Sequence, residues 1–143
     1  GRNDIGKISE HGSIEVPVFM KVEKYRYVMH ITSEVTGKLR PEFTAMDALS
    51  ATLPAGTLSG APKHRSYQRI YEFENQKRGI YGGAIGYLTK NGNCDFAIAI
   101  RTMVLKDKKA HVQAGAGIVY DSIPEHEYQE TLNKAQGLLK VGQ

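Results

Sequence analysis

The stretch A-H-V-Q-A-G-A-G-I-V-Y-D-S-I-P-E-H-E-Y-Q-E-T-L-N-K, residues 110–134, changes its periodicity midway. In its first half Val112, Ala114, Ala116, Ile118 and Tyr120 share one face of an extended chain, and His111, Gln113, Gly115, Gly117 and Val119 share the other. Both glycines open the same face. Glycine weakens a strand by roughly 0.5–1 kcal/mol relative to alanine, so two on one face predict that a ligand or another chain segment approaches the backbone there. Ser122-Ile-Pro-Glu125 then has the S-x-x-E form of a capping box, with proline in the first turn, where its missing N–H costs nothing. The predicted helix carries Tyr128, Leu132, Ala135 and Leu139 on an apolar stripe, and Glu127, Glu130 and Lys134 on a separate one. A strand cleared for a ligand thus leads into a helix with two carboxylates and an amine in line.

Upstream of this stretch the pattern predicts a β-meander, with strands over residues 83–89, 95–105 and 111–120. Asn91-Gly92 is a favoured type I′ pair for the first turn, and residues 106–109 form a charged second turn. In the middle strand Ala97, Ala99 and Arg101 share a face opposite Phe96, Ile98 and Ile100. Aligned with the glycine face, these make a shallow floor with one fixed cation. Arg101 is read either as solvated or paired, or as a planar fork for a carboxylate.

Residues 14–39 are rich in Val, Ile, Tyr and Phe and predict one or two strands, with Val28, His30 and Thr32 on one face and Met29, Ile31 and Ser33 on the other. His30 is then either a half-buried histidine bonded to a carbonyl or a titrating catalytic group. A short helix is predicted over 44–53, stopped by Pro54, and another over 62–76 with Tyr67, Ile70 and Phe73 on its apolar side. Between them, two prolines and two glycines shape the loop 54–63. It is not a P-loop: the Gly56 to Gly60 spacing is a residue short, and Pro62 stands where an N–H donor is needed.

The 143 residues, 41% of them apolar, suffice for one domain, or a piece of one, with a real core. Nineteen Lys and Arg against fifteen Asp and Glu leave a net charge of +4, but the basic residues are scattered, which speaks against a nucleic-acid partner. Cys94 is the lone cysteine, excluding an internal disulfide and a cysteine-based metal site and fitting a reducing, cytoplasmic location. No apolar run reaches membrane-spanning length, and Gly1-Arg-Asn-Asp4 lacks a signal-peptide pattern. The start without methionine predicts a fragment.

Glu127 and Glu130, one helical turn apart, are close enough to share a hard cation, although such pairs also commonly just face water. His126-Glu-Tyr-Gln-Glu130 mimics a zinc-protease H-E-x-x-H, but glutamate replaces the second histidine, and oxygen-only ligands favour magnesium. Lys134 is either part of an anion pocket or the helix salt-bridge partner of Glu130.

Seven motifs stand in order along the chain: Arg2-Asn-Asp4, His30-Ile-Thr-Ser-Glu-Val-Thr-Gly37, Gly56-Thr-Leu-Ser-Gly-Ala-Pro-Lys63, Tyr81-Gly-Gly-Ala-Ile-Gly-Tyr87, Ile100-Arg-Thr102, Gln113-Ala-Gly-Ala-Gly-Ile-Val119 and Glu130-Thr-Leu-Asn-Lys-Ala135. Together they closely resemble the C-terminal part of the chorismate-binding enzymes, over essentially the whole chain. Gly56-Thr-Leu-Ser-Gly60, Tyr81-Gly-Gly-Ala84 and His30 are most similar to the anthranilate-forming branch, less so to the para-aminobenzoate-forming branch and to isochorismate and salicylate synthases.

The expected fold is α+β, an antiparallel β-sheet meander covered by helices. The resemblance makes residues 1–143 the C-terminal portion of a chorismate-binding catalytic domain. It implies conversion of chorismate and ammonia to anthranilate and pyruvate, with Mg²⁺ as cofactor and a glutamine amidotransferase subunit supplying the ammonia. Arg101 and Tyr81 would hold the pyruvyl carboxylate, and the N–H groups of Gly115, Ala116 and Gly117 would line the ligand. Glu130, helped by Glu127, would reach Mg²⁺, Thr57 would contact the ring side, and Lys134 would add to the positive field. His30 would stand near the departing ring hydroxyl as a general acid or hydrogen-bond donor. Further magnesium carboxylates are implied on a helix before Arg2, outside this sequence, so the chain alone is expected to be inactive. The rival from another class is a non-catalytic anion-binding or regulatory module.

Overall fold

The computed structural model describes residues 1–25 and 29–140. In chain order these form α1 (Arg2–Gly6), β1 (Glu15–Lys24), β2 (Met29–Thr36), α2 (Ala45–Thr52), α3 (Gly56–Ser59), α4 (Lys63–Phe73), β3 (Ala84–Leu88), β4 (Cys94–Ile98), β5 (Met103–Lys106), β6 (Lys109–Val112) and α5 (Pro124–Leu139). The chain gathers into two compact units: residues 1–54 with 86–97, and residues 55–85 with the chain from Ile98 onward.

In the first unit β1 and β2 pair antiparallel, with Val22 opposite Ile31 and Glu23 opposite His30. The β-branched residues predicted this ladder, and the face assignment holds for its described part: His30 and Thr32 are half-buried, Met29 and Ile31 exposed. Val28, expected beside His30, lies outside the described residues. Gly37 passes so close to Ser9 and Ile14 that any Cβ there would collide with both side chains, which gives this glycine its physical reason. Beside it the 7–14 segment is bonded to the 37–40 segment, Glu10 N–H to Lys38 O at 2.7 Å and Arg40 N–H to Ile8 O at 3.0 Å.

The helix α2 begins as its sequence dictates. Thr44 Oγ1 accepts from Asp47 N–H at 3.4 Å and Asp47 Oδ2 accepts from Thr44 N–H at 2.7 Å, a reciprocal cap; the Thr44 hydroxyl, donating to Asp47 Oδ2 at 2.6 Å, and then the Thr44 N–H hold the Asp47 carboxyl below its usual 3.8.

The α+β class with antiparallel strands and helices is the one observed, but the meander is divided. Among the described residues the strands form three two-stranded sheets, β1–β2, β3–β4 and β5–β6. The predicted strand over 95–105 breaks at 99–102, because both backbone groups of Ala99 are taken by the loop before β3 and Arg101 is left-handed at φ 49°. The predicted strand over 111–120 stops at Val112. Beyond it two glycines lower strand propensity and Lys134 takes the Gly115 carbonyl that a ladder would need.

The first turn departs from its expected type as well. Gly92 N–H donates to Thr89 O at 3.0 Å, and Gly92 itself is left-handed at φ 86°, so the first turn is a three-residue loop closed by a glycine bulge instead of type I′. The second turn has Lys106 opposite Lys109 and both central residues left-handed, Asp107 at φ 51° and Lys108 at φ 59°. That is the type I′ geometry, imposed by a two-residue loop on residues that favour it less than Asn-Gly.

At the start of α5 the capping box is absent. Ser122 Oγ instead accepts from Val119 N–H at 3.0 Å and donates to Glu127 Oε1 at 2.6 Å, and Pro124 opens the helix. No helix among the described residues is long and apolar enough to cross a membrane.

Candidate functional site

The second unit is organised around the loop 78–83. Tyr81 N–H donates to Arg78 O at 3.1 Å and Gly83 N–H to Ile80 O at 3.0 Å, which curls the chain tightly. Gly82, left-handed at φ 79°, lies against Leu58, whose Cδ1 would be 3.3 Å from any Cβ there. Gly82 N–H donates to Ala99 O and Ala99 N–H to Gly83 O, each at 2.9 Å. Ala99 is only 2% exposed, so this exchange is shielded from water, and Arg101 follows two residues later. Tyr81 and Arg101 therefore issue from one bonded pair of segments, and Thr57 from the α3 turn that touches the same loop through Leu58.

Arg78 fastens that loop. Its Nε and Nη2 donate to Glu74 Oε2 and Oε1 at 2.8 and 2.5 Å, a bidentate fork, and its Nη1 donates to Leu58 O at 3.4 Å. Its guanidinium carbon also stands 5.5 Å from the centre of the Tyr81 ring. The hydrogen bond from Arg78 holds the Glu74 carboxyl below its usual 4.5, and Glu74 in turn raises Arg78. Burial pushes the Tyr81 phenol above its usual 10, against the opposing pull of Arg78, so at neutral pH it is an O–H donor.

A Cβ on Gly115 would stand 3.1 Å from Tyr81 Oη, so this glycine answers to a close approach, as its face predicted. Gly117 differs: nothing lies within 4 Å of the position its Cβ would take. Lys134 Nζ donates to Gly115 O at 3.1 Å and pairs with Glu130 Oε1 at 2.5 Å, joining α5 to the glycine segment. Of the two sequence readings of Lys134, the helix salt bridge with Glu130 is the one observed. Ala116 and Glu127 line a cavity of about 330 Å³ with Ser122 and Tyr128, and Tyr81, Arg78, Thr102 and His111 line another of about 360 Å³.

The structure so brings together Tyr81, Gly115, Lys134 and Glu130 in a chain of contacts, with Ala116 and Glu127 at a shared cavity. His30 belongs to the other unit, where its ring meets Tyr25 edge-on at 5.9 Å. A neutral phenol donor, an ammonium and a bare glycine Cα suit a ligand bearing a carboxylate. Glu127 and Glu130 carry oxygens of the hard kind that magnesium prefers, with Glu127 Oε1 accepting from Ser122 and Glu130 Oε1 paired with Lys134; among the described residues no group of three or more His, Cys, Asp or Glu gathers for a metal. Sequence reading missed Arg78 and Glu74, although their i,i+4 spacing was a signal that the two would pair. It also missed Ser122 as the partner of Glu127.

Residues 1–140 match the family model described as chorismate binding enzyme. The chain is 95% identical over all 143 residues to "Anthranilate synthase component 1" of Lactococcus lactis subsp. lactis (strain IL1403), and covers 31% of that protein. It is 57% identical to the protein of the same name from Aquifex aeolicus (strain VF5), with 98% of this chain and 28% of the relative covered. Among solved structures, anthranilate synthase component I from Streptococcus pneumoniae TIGR4 superposes at a TM-score of 0.89 with 68% identity, over 95% of this chain and 31% of that one. A putative 2,3-dihydroxybenzoate-specific isochorismate synthase from Bacillus anthracis superposes at 0.87 with 26% identity, over 97% of this chain and 37% of that one. The fold is thus shared across branches, and the chain spans about a third of the relatives' length. With the family match running from Gly1 to Lys140, the chain belongs to the chorismate-binding enzymes.

Proposed function

We propose that residues 1–143 are the C-terminal portion of the catalytic domain of an anthranilate synthase component I, which converts chorismate and ammonia to anthranilate and pyruvate. The observation that carries this reading is the 95% identity to a protein of that name over every residue of the chain. The chemistry of the second unit agrees with it. Chorismate is a dianion, and the second unit carries Arg101, Lys134 and a neutral Tyr81 hydroxyl to answer its charge.

In this reading Arg101 and Tyr81 bind the pyruvyl carboxylate, and the N–H groups of Gly115, Ala116 and Gly117 line the substrate where no side chain intervenes. Lys134 anchors the glycine segment and adds positive charge, while Thr57 contacts the ring side. His30 serves the departing hydroxyl as a general acid or hydrogen-bond donor, a role typically worth 10²–10⁴-fold. Glu130 and Glu127 would hold Mg²⁺, which when bound neutralises the ring carboxylate. The relatives' name, "component 1", supports a second component, and we assign it as a glutamine amidotransferase subunit that delivers ammonia in the cytoplasm.

Incubating the full-length protein with chorismate, Mg²⁺ and ammonia and identifying the product tests the proposal. Anthranilate supports it. Para-aminobenzoate would move the chain to the neighbouring branch, and binding without turnover would make it an anion-binding module.

A further inference from the structure

We infer that Arg78, locked by Glu74, is a positioning residue that fixes the Tyr81 phenol at Gly115 for substrate. The inference rests on the role proposed above for Tyr81. Arg78 touches three things at once: the end of α4 through Glu74, the α3 turn through Leu58 O, and the face of the Tyr81 ring. Its side chain is 26% exposed, and a planar bidentate pair has one geometry to offer. The need for such a lock is visible beside it. Arg78 and Tyr81 line the same cavity of about 360 Å³, so there is vacant volume next to the ring. Loss of the guanidinium would enlarge that volume and remove the group stacked on the ring, leaving the hydroxyl to wander from Gly115.

Because Arg78 acts through the Tyr81 hydroxyl, its removal should matter only while that hydroxyl is present. The test is a double-mutant cycle in the full-length enzyme, measuring KM and kcat for chorismate in Arg78→Ala, Tyr81→Phe and the double variant, with melting temperatures alongside. Arg78→Ala is expected to raise KM on the order of tenfold with kcat nearly kept, and the double variant to be about as impaired as Tyr81→Phe alone. Arg78→Lys, which keeps charge but not the fork, should recover only part. Effects that simply multiply, or an unchanged KM in Arg78→Ala, would overturn the inference while leaving Tyr81 in the site. An unchanged KM in Tyr81→Phe would remove Tyr81 from the site, and this inference with it. Should Arg78→Ala fail to fold, Glu74→Gln keeps the shape and frees the fork; a raised KM that vanishes in the Tyr81→Phe background supports the lock, and a wild-type KM overturns it.

Discussion

Lys134 Nζ reaches back across nineteen residues to donate to the Gly115 carbonyl oxygen at 3.1 Å. The Lys134 side chain is three-quarters covered there, and its other partner, Glu130, keeps it aimed. A helix thereby holds in place a glycine-rich segment that has no ladder of its own.

Replacing Lys134 with methionine should therefore loosen the segment before it harms the helix. Amide hydrogen exchange at Gly115, Ala116 and Gly117 is expected to quicken several-fold, with a stability loss of about 1 kcal/mol, less than a fully buried charged bond would cost. Unchanged exchange at all three amides would show that the segment is held by other means.

Gly115→Ala and Gly117→Ala should part company. A methyl at Gly115 meets Tyr81 Oη at 3.1 Å and must displace the phenol by a few tenths of an ångström, whereas one at Gly117 meets open space. Gly115→Ala should raise the KM for chorismate about fivefold, the equivalent of ~1 kcal/mol of a weakened hydrogen bond, with little change in melting. Gly117→Ala should melt like wild type and so isolate any loss due to the ligand alone. If both enzymes bind chorismate normally, no ligand approaches this backbone.

Glu74 supplies a pH signature. Its carboxyl is held below its usual 4.5 chiefly by the hydrogen bond from Arg78, so the pair adds stability above that value and loses it as pH falls through the lower folded one. Glu74→Gln should lower the urea midpoint at pH 7 by the equivalent of about 0.5 kcal/mol, allowing for partial exposure. Near pH 3 the gap between variant and wild type should narrow. A gap that widens on acidification would reverse the sign and refute the pairing.

Glu130→Gln changes charge with little change in shape. In the full-length enzyme it should raise the Mg²⁺ concentration needed for half-maximal anthranilate fluorescence roughly tenfold, as loss of a charged metal ligand does, while the fold melts nearly as before. A wild-type Mg²⁺ dependence would return Glu130 to the plain helix pair with Lys134.

What was legible in the sequence was whatever a local period could carry. The helices α2, α4 and α5 follow from spaced apolar residues and flanking prolines, and the β1–β2 ladder from its β-branched run. Strand propensity over 111–120 could not report that, among the described residues, no partner strand meets 113–119, because pairing is decided by the rest of the chain. Asn91-Gly92 does not form the type I′ turn and Asp107-Lys108 does, for a similar reason: strand register fixes loop length, and loop length selects the turn. Ser122 was read as a cap because its spacing to Glu125 allowed it, yet the hydroxyl serves Glu127. Arg78 joins partners four and twenty residues away, and only the nearer was within reach of pattern reading.

The left-handed backbone of Arg101, φ 49°, would set stability against the binding role proposed for its side chain. A non-glycine residue there carries strain on the order of 1 kcal/mol or more, which glycine would not. Arg101→Gly should consequently melt higher than Arg101→Ala while both lose chorismate affinity alike. The more durable of the two variants would be as poor a binder as the less durable, which is the mark of a residue kept for what its side chain grips and not for the ease with which its backbone folds.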